Sequence, residues 1–158
     1  MATPTYDLLD SVTLASSASS VTFSSIDQNY GDLRLVASGV AGVNIIKTNV
    51  NGDYGTNYYH VTAGGNGSGT GSGSGSGTYF VFHYYGSDEL YEIDFLDYSA
   101  TDKHKSALSR LSDSGASVIM SANRWASTAA ITSITMTAST GTFSAGATFY
   151  VYGIAKAL

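Results

Sequence analysis

The part of the sequence that most directly suggests chemistry is an acidic run between residues 88 and 97. In a β-strand, Glu92 and Asp94 would lie on one face, because alternate residues of a strand point the same way. Paired carboxylates of this kind can hydrolyse a glycosidic bond or bind calcium. A solvated strand face explains the same residues without special chemistry, and it is our main interpretation. The acidic residues of the run are Asp88, Glu89, Glu92, Asp94 and Asp97.

A basic cluster follows the acidic run. An acidic strand followed by a basic one predicts complementary charges, either across one sheet or between neighbouring copies of the chain. The cluster consists of Lys103, His104, Lys105 and Arg110.

Other signals of chemistry are weak. The chain has no cysteine, which excludes disulfides, thiolate metal ligands and a cysteine nucleophile. His60 and His83 could approach each other, but two imidazoles make a poor metal site. No glycine or serine has the spacing of a phosphate-binding loop or a nucleophile elbow. The sequence therefore predicts no cofactor, no metal and no enzymatic activity; a glycan hydrolase would depend on the acidic run alone.

Net charge and hydropathy narrow the possible partners. Seven basic and 12 acidic residues give a net charge of −5, which argues against binding to nucleic-acid phosphates. No apolar stretch is long enough for a transmembrane helix, so no membrane partner is predicted. The first residues lack the basic start and apolar core of a signal peptide. We expect the product to stay where it is made unless it leaves as part of a larger particle.

Apolar residues recur mostly at every second position, which is typical of half-buried strands. Asn51-Gly52 is a strong hairpin signal, because both residues tolerate the positive φ of a type I′ turn. Residues 103–112 could form a weak helical stripe, but a strand is the favoured interpretation. About ten short strands without a convincing helix predict an all-β fold, an antiparallel β-sandwich or jelly roll. The predicted strands are 6–14, 20–26, 32–39, 43–49, 56–63, 78–85, 89–98, 104–111, 116–123, 129–138 and 147–155.

The segment from Gly64 to Gly77 reads GGNGSGTGSGSGSG, which is the composition of a flexible linker. A division into two domains would leave two pieces that are each marginal for a sandwich. We therefore predict a single domain over residues 1–158 with a long, mobile Gly/Ser loop at 64–77. An ordered loop lying against a partner is the alternative.

Aromatic residues suggest an interaction surface. The segment Tyr79–Tyr85 carries aromatic side chains on both strand faces, which fits a strand buried on both sides, a protein interface or, less well, a carbohydrate platform. Trp125 could stack on the neighbouring Arg124 or anchor an interface. The complete set of candidate interface residues is Tyr79, Tyr84, Tyr85, Glu92, Asp94, Lys103, Lys105, Arg110, Arg124 and Trp125.

Several segments together resemble a group of short virion proteins of tailed bacteriophages. The matching stretches cover most of the chain and consist of strand and turn signatures. Asp27 stands where the group usually has proline, and the glycine tract is longer than usual. The stretches are TYDLLDSVTL at 5–14, SSVTFSSI at 19–26, Asn51-Gly52-Asp53 with Asn57-Tyr58, His104-Lys105-Ser106 and FYVYGI at 149–154.

The resemblance implies a small all-β structural protein, made in the cytoplasm of an infected bacterium and built into the virion. Its implied role is a capsid decoration (cement) protein on the head surface, where it would contact the major capsid protein and other copies of itself. Three-fold positions on an icosahedral shell lead us to expect a homotrimer. The alternative is a receptor-binding or tail-fibre tip that contacts host glycans. The sequence has no heptads for a fibre stem, which favours decoration.

Overall fold

The computed structural model describes residues 5–40, 45–80, 89–112 and 117–156, which form two antiparallel β-sheets packed face to face. The larger sheet has eight strands in the order β1-β11-β3-β7-β8-β9-β5-β6, and the smaller has three in the order β2-β10-β4. The predicted all-β sandwich is thus confirmed. The strands are β1 (Tyr6–Thr13), β2 (Ser20–Phe23), β3 (Asp32–Val40), β4 (Ile46–Val50), β5 (Tyr58–Gly65), β6 (Thr70–Gly77), β7 (Glu89–Leu96), β8 (Lys105–Ser112), β9 (Val118–Trp125), β10 (Ile134–Ala138) and β11 (Thr148–Ile154).

The core lies between the two sheets and follows the period-two pattern of the sequence. In β3, Leu33 and Leu35 are completely buried, whereas the intervening Arg34 faces outwards. At the centre of the core, Phe80 packs edge-on against Tyr58 and Phe95, with ring centroids 4.9 and 5.6 Å apart. Edge-to-face aromatic pairs add stabilisation beyond the burial of their area. Burial of alternate residues on the inner face therefore fixes which side chains of each strand point outwards.

The Gly/Ser tract is a strand hairpin, so the predicted mobile loop at 64–77 is wrong. Residues Thr70–Gly77 form β6, which pairs with β5 from Gly65↔Thr70 to Tyr58↔Gly77. The turn at residues 66–69 is closed by Asn66, whose Oδ1 accepts hydrogen bonds from the backbone N–H groups of Ser68 and Gly69, each at 3.1 Å. The period-two alternation of glycine with serine or threonine is compatible with a strand, but the linker-like composition favours a loop.

The glycines of β6 lie on its inner face and leave room for side chains of β5. Tyr58 points into the core, so its partner Gly77 and every second residue before it share that side. A Cβ on Gly75 would lie 3.1 Å from Cε1 of His60. The Thr62 hydroxyl donates a hydrogen bond to the carbonyl of Gly73 at 3.3 Å. The inward-facing side chains of β5 thus lie over the bare glycine backbone of β6.

Two further predictions concern local structure. Residues 103–112 form no helix. β8 begins at Lys105 and alternates buried and exposed residues, so the strand favoured over a helix is confirmed. Asn51 and Gly52 have φ values of 53° and 65°, and Asp53 N–H donates to the Val50 carbonyl at 2.9 Å, which confirms the predicted turn. The predicted hairpin is wrong, because the turn does not join paired strands: β4 belongs to the smaller sheet and β5 to the larger. None of the described residues belongs to a helix capable of crossing a membrane.

Gly153 in β11 is expected to be intolerant of a side chain. A Cβ at this position would overlap the ring of Tyr30, which packs against the core. We expect Gly153→Ala to lower the free energy of unfolding by about 1–3 kcal/mol, as overpacking usually does. Urea denaturation measures this loss, with Gly69→Ala as the control, because a Cβ on Gly69 meets no atom within 4 Å. Tyr30→Ala in the Gly153→Ala background should cost less than the sum of the single changes; strict additivity would contradict the overlap.

Candidate interaction surface

The outer face of strands β8, β9 and β5 carries a block of exposed apolar side chains. We call this block, Val61, Leu108, Val118 and Met120, the outer apolar patch. Their exposed fractions are 60%, 53%, 54% and 63%. Single exposed apolar residues are ordinary on protein surfaces, but a contiguous group marks a site of interaction.

Strand register makes the patch contiguous. Ala122 of β9 pairs with Leu108 on one side and Val61 on the other, which places three apolar side chains in one row. One row further, Met120 lies between Arg110 and Ala63. Directly opposite residues on one sheet face have Cβ atoms about 5 Å apart, so these side chains touch their neighbours. The patch is therefore a feature of three aligned strands rather than of one segment.

The charged residues beside the patch form ion pairs within the chain. Arg34 binds Asp94 through two parallel hydrogen bonds, Nε to Oδ1 at 2.6 Å and Nη2 to Oδ2 at 2.7 Å. The hydrogen bonds that Arg34 donates to Asp94 raise the pKa of Arg34, which keeps the guanidinium ionised. Arg110 forms an ion pair with Glu92, its cross-strand partner. Of the two interpretations of the acidic and basic segments, complementarity across one sheet is the one that these pairs support.

The sequence-based candidates Glu92, Asp94, Arg110 and Arg124 all lie on this outer face. Arg124 stacks with its guanidinium carbon 4.5 Å from the ring centroid of Tyr59, its partner on β5. The predicted stacking of Arg124 on Trp125 is wrong, because consecutive residues of a strand point to opposite faces.

Lys105 is not an interface residue. It is completely buried, and its ammonium group donates to the carbonyl oxygens of Ala100 at 2.6 Å, Lys103 at 3.0 Å and Thr128 at 3.3 Å. Burial lowers its pKa, since desolvation disfavours the charged form. Lys105 thus stabilises the connection between β7 and β8 by hydrogen bonds donated from the interior of the protein.

Trp125 is also an internal residue, not an interface anchor. Its side chain is 2% exposed, and its indole N–H donates to Oδ2 of Asp53 at 2.7 Å. The carboxylate also accepts bonds from Asn57 Nδ2 at 2.9 Å and Gly55 N at 2.8 Å. Burial acts to raise the pKa of Asp53, but these hydrogen bonds lower it overall. Trp125 therefore fixes the turn through which the chain enters β5.

The remaining sequence-based candidates lie away from the outer apolar patch. Lys103 pairs with Asp97 at 2.9 Å in the connection between β7 and β8. Tyr79 is half-buried, and the Lys47 ammonium lies 5.1 Å from its ring centroid. Tyr84 and Tyr85 lie outside the described residues. His83 and most of the predicted strand 78–85 also lie outside the described residues.

Sequence reasoning missed the patch itself. The segments around Leu108 and Met120 alternate in the expected way, yet both of their faces carry apolar residues. Apolar residues on both faces, more than one-sided burial requires, are the sequence signal for this patch, as they are for an interface at Tyr79–Tyr85.

Two shallow depressions flank the glycine-rich hairpin. One lies at the end of the outer apolar patch, has a volume of about 670 Å³, and is bordered by Val118, Met120 and Gly64. The other has a volume of about 570 Å³, with Thr62, Ile119 and Gly73 in its lining. Both are open because strand β6 of the hairpin offers only glycine and short hydroxyl side chains to fill them. Within the described part of the chain, no three His, Asp or Glu residues are grouped closely enough to hold a metal ion.

Comparison with known proteins yields a distant structural likeness. No protein-family model and no curated protein matches the sequence. The crystal structure of the galectin LEC-6 from Caenorhabditis elegans is similar, with 10% sequence identity and a TM-score of 0.40. The alignment covers 92% of this chain and 96% of the galectin.

Proposed function

We propose that this chain is a non-catalytic structural protein that docks onto a larger protein assembly through its outer apolar patch. The observation that carries the proposal is the block of four exposed apolar side chains on three aligned strands. Covering such a block removes apolar area from water, at about 25 cal/mol per Å². The charges around it favour the same role, because Arg34, Arg110 and Arg124 already have partners within the chain.

The assembly that we propose is the head of a tailed bacteriophage, with the major capsid protein as the docking partner. The resemblance of the strand and turn segments to short virion proteins supports this identification. The expected trimer depends only on the three-fold positions of an icosahedral shell, and no contact within one chain bears on it.

Charge introduced into the patch is expected to weaken docking strongly without unfolding the protein. Met120→Lys and Val61→Lys each place an ammonium group where apolar contact is proposed, so each should weaken binding to empty shells of the major capsid protein about thirtyfold or more, the effect of losing a hot spot. Co-sedimentation with shells measures this. Ser38→Lys, exposed on β3 of the same sheet, is the control with equal added charge. Thermal melts should agree for all four proteins, since exposed substitutions change stability by about 0.5 kcal/mol.

The location in the particle is tested separately. Antibodies against the chain should label the heads of intact virions in electron micrographs. Labelling of tails would refute the decoration role, and the absence of any label would refute the virion assignment. Wild-type binding to shells with no loss in the two patch variants would place the docking surface elsewhere.

A receptor-binding tip that contacts host glycans is the second candidate function. The 570 Å³ depression favours it, because Thr62, Asn66 and Ser117 contribute polar groups to its lining. Under this alternative, the protein should bind glycans on an array, and Thr62→Val should reduce that binding. Glycan binding together with labelled tails would favour this function over decoration.

A further inference from the structure

Among the described residues, β1 and β6 are the edge strands of the eight-stranded sheet, and β6 is the one whose sequence leaves it open for pairing. The residues from Gly71 to Ser76 are all exposed, and the strand contains neither a charge nor a proline. An edge strand offers unpaired N–H and C=O groups to other chains, and natural proteins usually blunt such edges with charges, proline or bulges. The opposite edge, β1, carries Asp7 and Asp10, and a bulge interrupts its pairing after Leu8. The two edges therefore differ in features that prevent strand addition at β1 and permit it at β6.

Hydrogen bonding in the hairpin determines which backbone groups face outwards. The Asn66 N–H donates to the Gly69 carbonyl at 3.2 Å, which makes these two residues a hydrogen-bonded pair. Bonded and non-bonded pairs alternate along an antiparallel ladder. Counting along the register from Asn66 and Gly69, the glycines of β6 bond to β5. The residues whose N–H and C=O groups point to the open edge are Thr70, Ser72, Ser74 and Ser76.

We propose that β6 pairs with β6 of a second copy of this chain, antiparallel, about a two-fold axis at Gly73. In this register Ser72 faces Ser74 of the second copy, and Thr70 faces Ser76. Each of these pairs exchanges both of its main-chain bonds, so all outward-facing groups of β6 are satisfied. Glycine faces glycine on the inner side, and the two large sheets become one continuous sheet.

The chemistry of β6 favours a second copy over an unrelated peptide. A peptide bound by strand addition is recognised through pockets for its alternate side chains. β6 offers bare glycine on one face and short hydroxyls on the other, so it has no such pockets. A second copy presents the same strand and gives a self-complementary interface. Hydroxyls opposite hydroxyls can hydrogen-bond across the pair, and no charge on β6 is covered.

This pairing goes beyond the proposed function and depends on different residues. It uses the edge of the sheet, whereas docking on a shell uses the outer apolar patch, so either can fail while the other holds. An isologous pair closes at two copies, which predicts a dimer in solution in place of the expected trimer.

Sedimentation equilibrium of the full chain tests the pairing. The wild type should be dimeric, and Ser72→Lys/Ser74→Lys should weaken dimerisation at least about a hundredfold, because it sets like charges directly opposite each other. Ser11→Lys/Thr13→Lys, which adds the same charge to β1 at the blunted edge, is the control and should leave the dimer intact. A wild-type monomer or trimer, or a dimer that the β6 variant does not weaken, would overturn the proposal.

Hydrogen exchange of the wild type gives a second test that needs no variant. At concentrations where the dimer forms, the amides of Ser72, Ser74 and Ser76 should exchange slowly, and dilution to monomer should release them. The amides of Gly73 and Gly75 should remain protected at both concentrations, because they bond to β5. Fast exchange of the three serine amides in a sample of dimeric mass would show that the copies meet elsewhere.

Discussion

Lys105→Glu is expected to cost more than about 3 kcal/mol of the free energy of unfolding, the scale of leaving a buried charge uncompensated. The substitution replaces an ammonium group that donates to three carbonyl oxygens by a carboxylate that repels them. A domain of this kind has about 5–15 kcal/mol in total, so a large fraction of the variant should be unfolded at modest urea concentrations. Equilibrium urea denaturation followed by circular dichroism measures the shift in midpoint.

Lys103→Glu is the matched control for this substitution. It reverses the same charge two residues earlier, but Lys103 is exposed and its ion pair with Asp97 lies at the surface. Exposed pairs contribute about 0–1 kcal/mol. Lys105→Met separates charge repulsion from the loss of donors, because it keeps an aliphatic side chain but removes the ammonium donor from the three carbonyls. Its free energy of unfolding should lie between those of the other two variants. Equal midpoints for Lys103→Glu and Lys105→Glu would refute the internal role of Lys105.

Trp125→Ala is expected to destabilise the fold by about 3–5 kcal/mol, because it removes a large buried ring and leaves a cavity. Arg124→Ala, the neighbouring residue on the opposite face, should cost no more than about 1 kcal/mol, the value of an exposed cation–π contact. Urea denaturation followed by circular dichroism suits both variants, since the chain has only one tryptophan. Comparable losses in the two variants would contradict the internal packing of Trp125.

Trp125→Phe isolates the hydrogen bond to Asp53, and it predicts a pH dependence. The pKa of Asp53 is lowered in the folded protein, so its ionised form contributes stability at neutral pH that is lost as the pH falls below about 4. Without the indole donor, the pKa of Asp53 is lowered by a smaller amount. The gap in unfolding free energy between wild type and Trp125→Phe should therefore be largest at neutral pH and shrink in acid. A gap that stays constant from pH 7 to pH 3 would mean that the ionised carboxylate gains nothing from the indole.

The alternation of apolar residues predicted most of the fold, because burial on one face of a strand acts directly on local sequence. Leu33 and Leu35 in β3 show this most simply. The sequence does not predict β6, because the linker-like composition of the glycine tract outweighs its equally regular alternation. β6 has no apolar residue to bury, and pairing with β5 orders it instead.

The candidate site was predicted less completely, because its contacts join residues that are distant in sequence. The inward direction of Lys105 follows from its place in the alternation of β8, but the Thr128 carbonyl that it binds lies on another connection. Likewise, Trp125 and Asp53 are 72 positions apart. The charge pairs could be predicted from the sequence, because Glu92 and Arg110 lie on consecutive strands. The phage-head role stays a prediction.

The two ends of the described chain lie side by side, because Tyr6 pairs with Ile154 in the ladder between β1 and β11. Both ends therefore emerge at the β1 side of the large sheet, far from β6. A force that pulls them apart acts across the strands, so it opens this ladder one pair at a time. A force along β6 loads the whole ladder between β5 and β6 at once, because its hydrogen bonds run perpendicular to the strands. Mechanically, the domain should yield gradually when stretched by its ends and resist shear at its glycine edge.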